Sequence, residues 1–115
     1  MADRVVHFEI VGKDGKRLQE FYASLFDWKV DASNPMQYGL VSAEPGGIAG
    51  GICSGDKSRV TFYVEVADLG AALKQAERLG GKTILPPHSV PGGPEIAQFT
   101  DPEGNAIGLI KTGSM

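Results

Sequence analysis

His7 and Glu9 flank Phe8 in the run Val6-His7-Phe8-Glu9-Ile10. On an extended strand, residues two apart point the same way and sit roughly 6–7 Å from each other, close enough for long side chains to meet. The imidazole has an ordinary pKa of about 6.5, which makes His7 the natural general acid/base, with Glu9 to orient it or to accept a hydroxyl from a ligand. Val6, Phe8 and Ile10 take the opposite parity and are predicted to pack under helices, so His7 and Glu9 are expected on the open face of a sheet. A plainer role stays open for them: a structural hydrogen-bonded pair on a solvated face or at a subunit interface.

A second run repeats the pattern. Val60, Phe62, Val64 and Val66 alternate with Thr61, Tyr63 and Glu65. Tyr63 would offer a ring for stacking and a hydroxyl for recognition. Gln98 alternates with Ala97 and Phe99, and it joins the open face if Phe99 turns toward a helix. The single cysteine, Cys53, excludes an intramolecular disulfide. One step past Ile52, it is expected to point toward the helices as a small buried hydrophobe. His88 falls in a proline- and glycine-rich stretch, Pro86 to Pro94, predicted to be a loop, where it is either simply exposed or, if the loop overhangs the site, in reach of a ligand. Nucleotide-binding, nucleophile-elbow and zinc-type spacings are absent from the sequence. The glycines from Gly46 to Gly51 do not lead into a helix and so make no phosphate cradle.

The elements that must position these groups follow from periodicity. Arg4 to Val11 reads as a strand. Leu18, Phe21, Tyr22, Leu25 and Phe26, behind the capping residue Asp14, form a helical stripe. Those residues and Trp28 are predicted to be core. Trp28 to Val30, Met36 to Val41 and Ile48 to Cys53 read as three further strands. After a polar linker the order recurs: a strand from Val60, a helix from Asp68 with Leu69, Ala72, Leu73 and Ala76, and an αL stop at Gly80-Gly81. Strands are then expected at Lys82 to Leu85, Glu95 to Thr100 and Asn105 to Lys111, the last two joined by the turn Asp101-Pro102-Glu103-Gly104. The two halves superpose at a spacing of 54 residues, which sets Asp14 on Asp68, Leu25 on Leu79 and His7 on Thr61. Toward the module ends a spacing of 58 matches Gly50 with Gly108 and Ile52 with Ile110. The expected organisation is one domain over 1–115, with module one at 1–54 and module two at 58–113.

Composition narrows the classes. At 115 residues, with 42% hydrophobic and 22% charged side chains, the chain has the balance of an ordinary globular domain and not of a disordered one. The net charge is −3, and the basic groups Lys13/Lys16/Arg17 and Lys57/Arg59 are too short for a nucleic-acid footprint, so they read as solvated faces. No run of about 18 apolar residues predicts a membrane span, and no signal-peptide pattern follows the first charges. A cytoplasmic location is the default expectation.

The phrases His7-Phe8-Glu9-Ile10, Phe21-Tyr22 with Leu25-Phe26-Asp27-Trp28, Val66-Ala67-Asp68-Leu69, Leu79-Gly80-Gly81 and Phe99-Thr100-Asp101-Pro102-Glu103-Gly104-Asn105-Ala106-Ile107-Gly108-Leu109 stand in an order that resembles the vicinal oxygen chelate superfamily. This superfamily comprises glyoxalases, bleomycin-resistance proteins and dioxygenases, and the likeness is strongest to its small glyoxalase-like branch. The resemblance implies an α+β fold in which two βαβββ modules form a curved mixed sheet cup with helices on the outside. It also implies that metal-dependent relatives carry one ligand on the first and one on the last strand of each module.

Mapped on this chain, those places are His7, Thr61, Gly108 and, for the last strand of module one, Gly50. Only His7 is a strong ligand, so neither a bound metal nor another cofactor is expected. The glycine at 108 would instead leave room for a flat molecule. The expected function is metal-independent binding of a small apolar or aromatic, oxygen-bearing metabolite in the cup. The expected site comprises His7, Glu9, Thr61, Tyr63, Gln98 and Gly108, with His7 and Glu9 as the candidate catalytic pair. The alternative is a lyase/isomerase- or dioxygenase-type enzyme using His7 as acid/base or within a rearranged metal site. A homodimer is expected, with a small-molecule ligand and neither nucleic acid nor membrane as partner.

Overall fold

The computed structural model describes residues 2–114. The fold is mixed α+β, two βαβββ modules in succession. The first comprises β1 (Val5–Gly12), α1 (Gly15–Phe26), β2 (Val30–Asp31), β3 (Gly39–Val41) and β4 (Ala49–Ser54). The second comprises β5 (Arg59–Val66), α2 (Leu69–Arg78), β6 (Lys82–Ser89), β7 (Glu95–Thr100) and β8 (Ala106–Lys111). Two compact units result, Val6–Thr61 and a second made of Phe62 onward with the residues up to Val5. Arg4 is tied to the latter, since its carbonyl accepts from the Glu65 amide at 2.9 Å and its guanidinium meets the Glu65 carboxylate at 3.2 Å.

Each module orders its strands in the same way. The first runs β2-β3-β4-β1, with β1 and β4 parallel and the other pairs antiparallel. The second runs β5-β8-β7-β6, with β5 and β8 parallel and the rest antiparallel. Both helices start where an aspartate caps them: Asp14 accepts from the Arg17 amide and Asp68 from the Ala71 amide. Gly80, with φ of +104°, closes α2 in the left-handed region, as the double glycine predicts. The core of the second unit is Val66, Leu69, Leu73, Ala97 and Leu109, with Val64, Ala72 and Phe99 packed against it.

Four expectations need correction. First, Met36, Gln37 and Tyr38 precede β3 instead of belonging to it. The Asn34 side chain donates to the Tyr38 carbonyl at 2.7 Å and accepts from its amide at 2.9 Å, which removes both backbone groups from the ladder. Second, β6 continues through Pro86 and Pro87 to Ser89, so His88 lies on a strand opposite Ile96 and not in a loop. As the outermost strand, β6 tolerates prolines, and its register shifts on both sides of Leu85 absorb them.

Third, the aromatic stripe of α1 is not all core. Phe21, Leu25 and Phe26 are each more than half exposed, while Tyr22 and Trp28 are half-buried. The face pressed on the sheet is Gly15, Leu18, Gln19 and Tyr22. A Cβ on Gly15 would come within 2.5 Å of the Ser54 amide nitrogen, and Gln19 Nε2 donates to the Ile52 carbonyl at 2.7 Å. Glycine and glutamine do the docking, and counting apolar residues cannot see that.

Fourth, the register of β4 moves by one residue. Phe8 pairs with Gly50 and Ile10 with Ile52 on the helix side, whereas Glu9 pairs with Gly51 and Val11 with Cys53 on the opposite face. Cys53 therefore points away from α1, and the residue of module one that corresponds to Gly108 is Gly51.

Candidate functional site

The face of the first unit's sheet turned away from α1 carries a continuous chain of polar groups. His7 Nε2 lies 2.9 Å from the Tyr38 hydroxyl, and that hydroxyl donates to Glu9 Oε2 at 2.9 Å. Glu9 Oε1 in turn meets the Arg59 guanidinium at 3.2 Å. Alternation along β1 puts His7 and Glu9 on one face, and alternation along β5 puts Arg59 and the buried Thr61 on one face. Tyr38 arrives from the loop before β3, held by Asn34 as described above.

The proton count fixes the roles. A phenol has one hydrogen, and Tyr38 gives it to the carboxylate, so the hydrogen between Tyr38 and His7 belongs to the imidazole. Neutral His7 is thus assigned the Nε2–H tautomer. Burial pushes the His7 pKa below its ordinary value, and the nearby Glu9 carboxylate pulls it back up by a smaller amount. The imidazole and phenol rings are stacked with 16° between their planes and centroids 6.3 Å apart.

Room for Tyr38 comes from Gly51. A Cβ there would collide with the phenol oxygen and ring, so only glycine lets the ring lie on the strand beneath it. Cys53, next along this face, is half-buried. Burial first, and the Glu9 carboxylate second, push its thiol up to about 11, against a smaller opposing pull from Arg59.

The second unit has its own version of this arrangement. Tyr63, Gly108 and Gln98 stand side by side across β5, β8 and β7. The Tyr63 ring fills the space that a Cβ on Gly108 would need, and Gln98 Nε2 donates to its hydroxyl at 3.1 Å. The space at Gly108 is therefore taken by Tyr63 itself. Each module seats a tyrosine ring over the glycine of its last strand.

Of the sequence-predicted residues, His7 and Glu9 come together through Tyr38, and Tyr63, Gln98 and Gly108 form the second group. Tyr38 and Arg59 were not among the expected site residues. Arg59 shares the parity of Thr61 and Tyr63, a signal that would have found it. Tyr38 left only an indirect trace, the glycine pair Gly50-Gly51 that a ring must cover.

The Glyoxalase family, described as the Glyoxalase/Bleomycin resistance protein/Dioxygenase superfamily, matches residues 4–109. The chain belongs to this superfamily. A glyoxylase-like domain-containing protein of Didymella fabae is 31% identical over 108 residues, covering 84% of each chain. Among solved structures, methylmalonyl-CoA epimerase of Streptomyces coelicolor in complex with 2-nitronate-propionyl-CoA aligns at a TM-score of 0.70 with 16% identity, covering 100% of this chain and 98% of the other. A glyoxalase/bleomycin resistance protein/dioxygenase superfamily member from Vibrio splendidus aligns at 0.61 with 16% identity, covering 96% and 99%. At these identities the structural likeness is one of fold.

The donor set of this superfamily member does not fit a divalent cation at the places where metal-dependent relatives hold one. Those places are His7, Thr61, Gly51 and Gly108. Glycine offers no donor, and the Nε2 of His7 already carries a hydrogen toward Tyr38. Both Glu9 oxygens are engaged as well. Among the described residues, no group of three or more His, Cys, Asp or Glu side chains converges in a way that could hold a metal.

Proposed function

We propose that this superfamily member binds a small apolar or aromatic, oxygen-bearing metabolite without a metal, on the sheet face that presents His7, Tyr38 and Glu9. The observation that supports this is the internal chain His7–Tyr38–Glu9–Arg59, in which the groups that would ligate a cation are committed to one another. Such a chain leaves a stacked imidazole–phenol surface with polar atoms at fixed positions, the mixture of flat apolar area and few oriented polar groups that small-ligand sites use. Thr61 belongs to the same reading as a further contact for the ligand, and Tyr63 with Gln98 is proposed to present a comparable contact on the second unit, where Gly108 serves only to seat the Tyr63 ring. The protein is proposed to work as a homodimer.

A thermal-shift and calorimetric panel of aromatic hydroxy acids, keto acids and phenols, with simple sugars as controls, tests the reading. The expected result is stabilisation by one aromatic class that is lost in Tyr38→Ala. A flat response to every class would overturn it.

One observation favours a second reading, in which the protein is a lyase or isomerase. Burial holds His7 below its ordinary pKa, so near neutrality the imidazole is unprotonated, the state a general base needs. Turnover on this reading is insensitive to chelator and vanishes in His7→Ala.

A further inference from the structure

A cleft of about 690 Å³ opens in the first unit where the start of α1, the loop before β3 and the end of β4 meet. Tyr38 and Cys53 join it to the polar chain, Ala32 and Met36 give it apolar wall, and Lys13 and Lys16 supply its cations. The volume suits one small molecule. Met36, 69% exposed, is a flexible thioether able to settle on an aromatic ring.

The walls are tied in place by bonds that spare the lysines. Gln19 Nε2 donates to the Gln37 carbonyl at 3.2 Å and to the Ile52 carbonyl at 2.7 Å, which pins the loop to β4. Asn34 holds the Tyr38 backbone, and the Gly15 amide donates to Ser54 Oγ at 2.8 Å. A cleft fixed in this way costs little ordering when a ligand enters.

Charge decides the class of ligand. The lining carries two lysines and one carboxylate, Asp14, and that carboxylate already accepts the Arg17 amide. Neither lysine takes part in an ion pair among the described residues. Glu9, the acid bonded to Tyr38, is also held by Arg59. The cleft is therefore locally cationic in a chain whose net charge is −3. Two lysines are too few for a nucleic acid, but they match a single anionic group with an apolar body beside it.

We propose that this cleft holds the charged end of an aromatic anion, whose ring lies against Tyr38 and Met36 and whose carboxylate or phosphate group meets Lys13 and Lys16. The inference rests on the metabolite-binding reading above and narrows it from an oxygen-bearing molecule to an anionic one.

Calorimetric titration of the full chain with aryl carboxylates, their primary amides and the matching aryl phosphates provides the test. The anion should bind roughly five- to tenfold more tightly than the amide of the same ring, and added salt should weaken the anion alone. Whichever of carboxylate and phosphate binds more tightly identifies the anionic group. Lys13→Gln and Lys16→Gln should each weaken the anion about two- to fivefold, the weight of one solvated ion pair, and leave the amide unchanged. Lys74→Gln on α2 is the control and should change neither, whereas Tyr38→Ala should weaken both.

An anion and amide that bind alike, or an anion indifferent to the double lysine variant, would overturn the inference and leave the small-molecule reading standing. Lysine-dependent binding that survives Tyr38→Ala would sink that reading and, with it, the placement against Tyr38. Acetate or inorganic phosphate binding as tightly as the ring compounds would mark an adventitious ion only. Ring compounds that fail to bind at all would overturn both.

Discussion

The phenol ring of Tyr38 occupies the space into which a side chain on Gly51 would project. That relationship places the Tyr38 hydroxyl between His7 and Glu9, and it makes a backbone position on β4 answerable for the order of the whole polar chain.

Gly51→Ala should therefore destabilise the protein by about 1–3 kcal/mol, the usual cost of forcing extra volume into a close contact, and should displace Tyr38. Tyr38→Phe keeps the ring and loses only the hydroxyl, so it should cost less, roughly 1 kcal/mol. Urea unfolding of the two variants checks the order. Gly108→Ala, which collides with Tyr63 in the same manner, should fall with Gly51→Ala.

Stability should decline on acidification through the His7 titration. The folded pKa lies below the unfolded value of 6.5, so in that interval the unfolded chain takes up a proton that the folded one refuses. The stabilisation is complete above the unfolded pKa and is lost as the pH falls through the folded one. Urea midpoints measured across this range should drop for wild type and flatten in His7→Phe. Nuclear magnetic resonance of the imidazole should give a midpoint under 6.5, lower still in Glu9→Gln, because the Glu9 charge is what raises it. A midpoint at or above 6.5 would contradict the burial argument.

Cys53 should alkylate slowly near neutral pH. With its pKa raised from 9.0 to about 11, roughly a hundredfold less thiolate is present than for an ordinary thiol of pKa 9.0. Glu9→Gln removes one of the groups that raise it and should speed the reaction, while Arg59→Ala should slow it. Rates with a small neutral alkylating agent under native conditions distinguish these outcomes, and opposite signs for the two variants are the decisive result.

Prolonged exposure to a strong chelator should leave the melting temperature unchanged. Adding zinc, nickel, manganese or ferrous iron to the apo protein should not raise it. A cation at a hundred times its dissociation constant would add about 2.7 kcal/mol if it bound only the folded state. A clear rise with any of the four would refute metal-independence directly.

The fold was legible because its signals are local. Asp14 and Asp68 cap where a cap is expected, Gly80 stops α2, and the alternation in β1 and β5 assigns faces correctly. The candidate site was legible only in part, since its remaining members depend on contacts between distant segments. Tyr38 reaches His7 from 31 residues away, and nothing in its neighbours' periodicity says that Asn34 will pull it out of the strand. Gly50 and Gly51 are alike in sequence, and only the pairing of β4 with β1 tells which one faces Glu9. The exposed half of the α1 stripe was hidden for a related reason: helical spacing shows that a face is apolar, and it does not show how much of that face a short sheet can cover.

The outer strand β6 has a consequence of its own. Pro86 and Pro87 lack amide hydrogens, and they sit on the one edge of the second module that would otherwise present a long row of donors and acceptors to any passing strand. The rim is therefore a poor template for the strand-by-strand growth that leads to fibrils. Replacing both prolines with valine or threonine would restore the template, and turbidity and dye-binding assays at high concentration would show whether the folded protein then begins to aggregate.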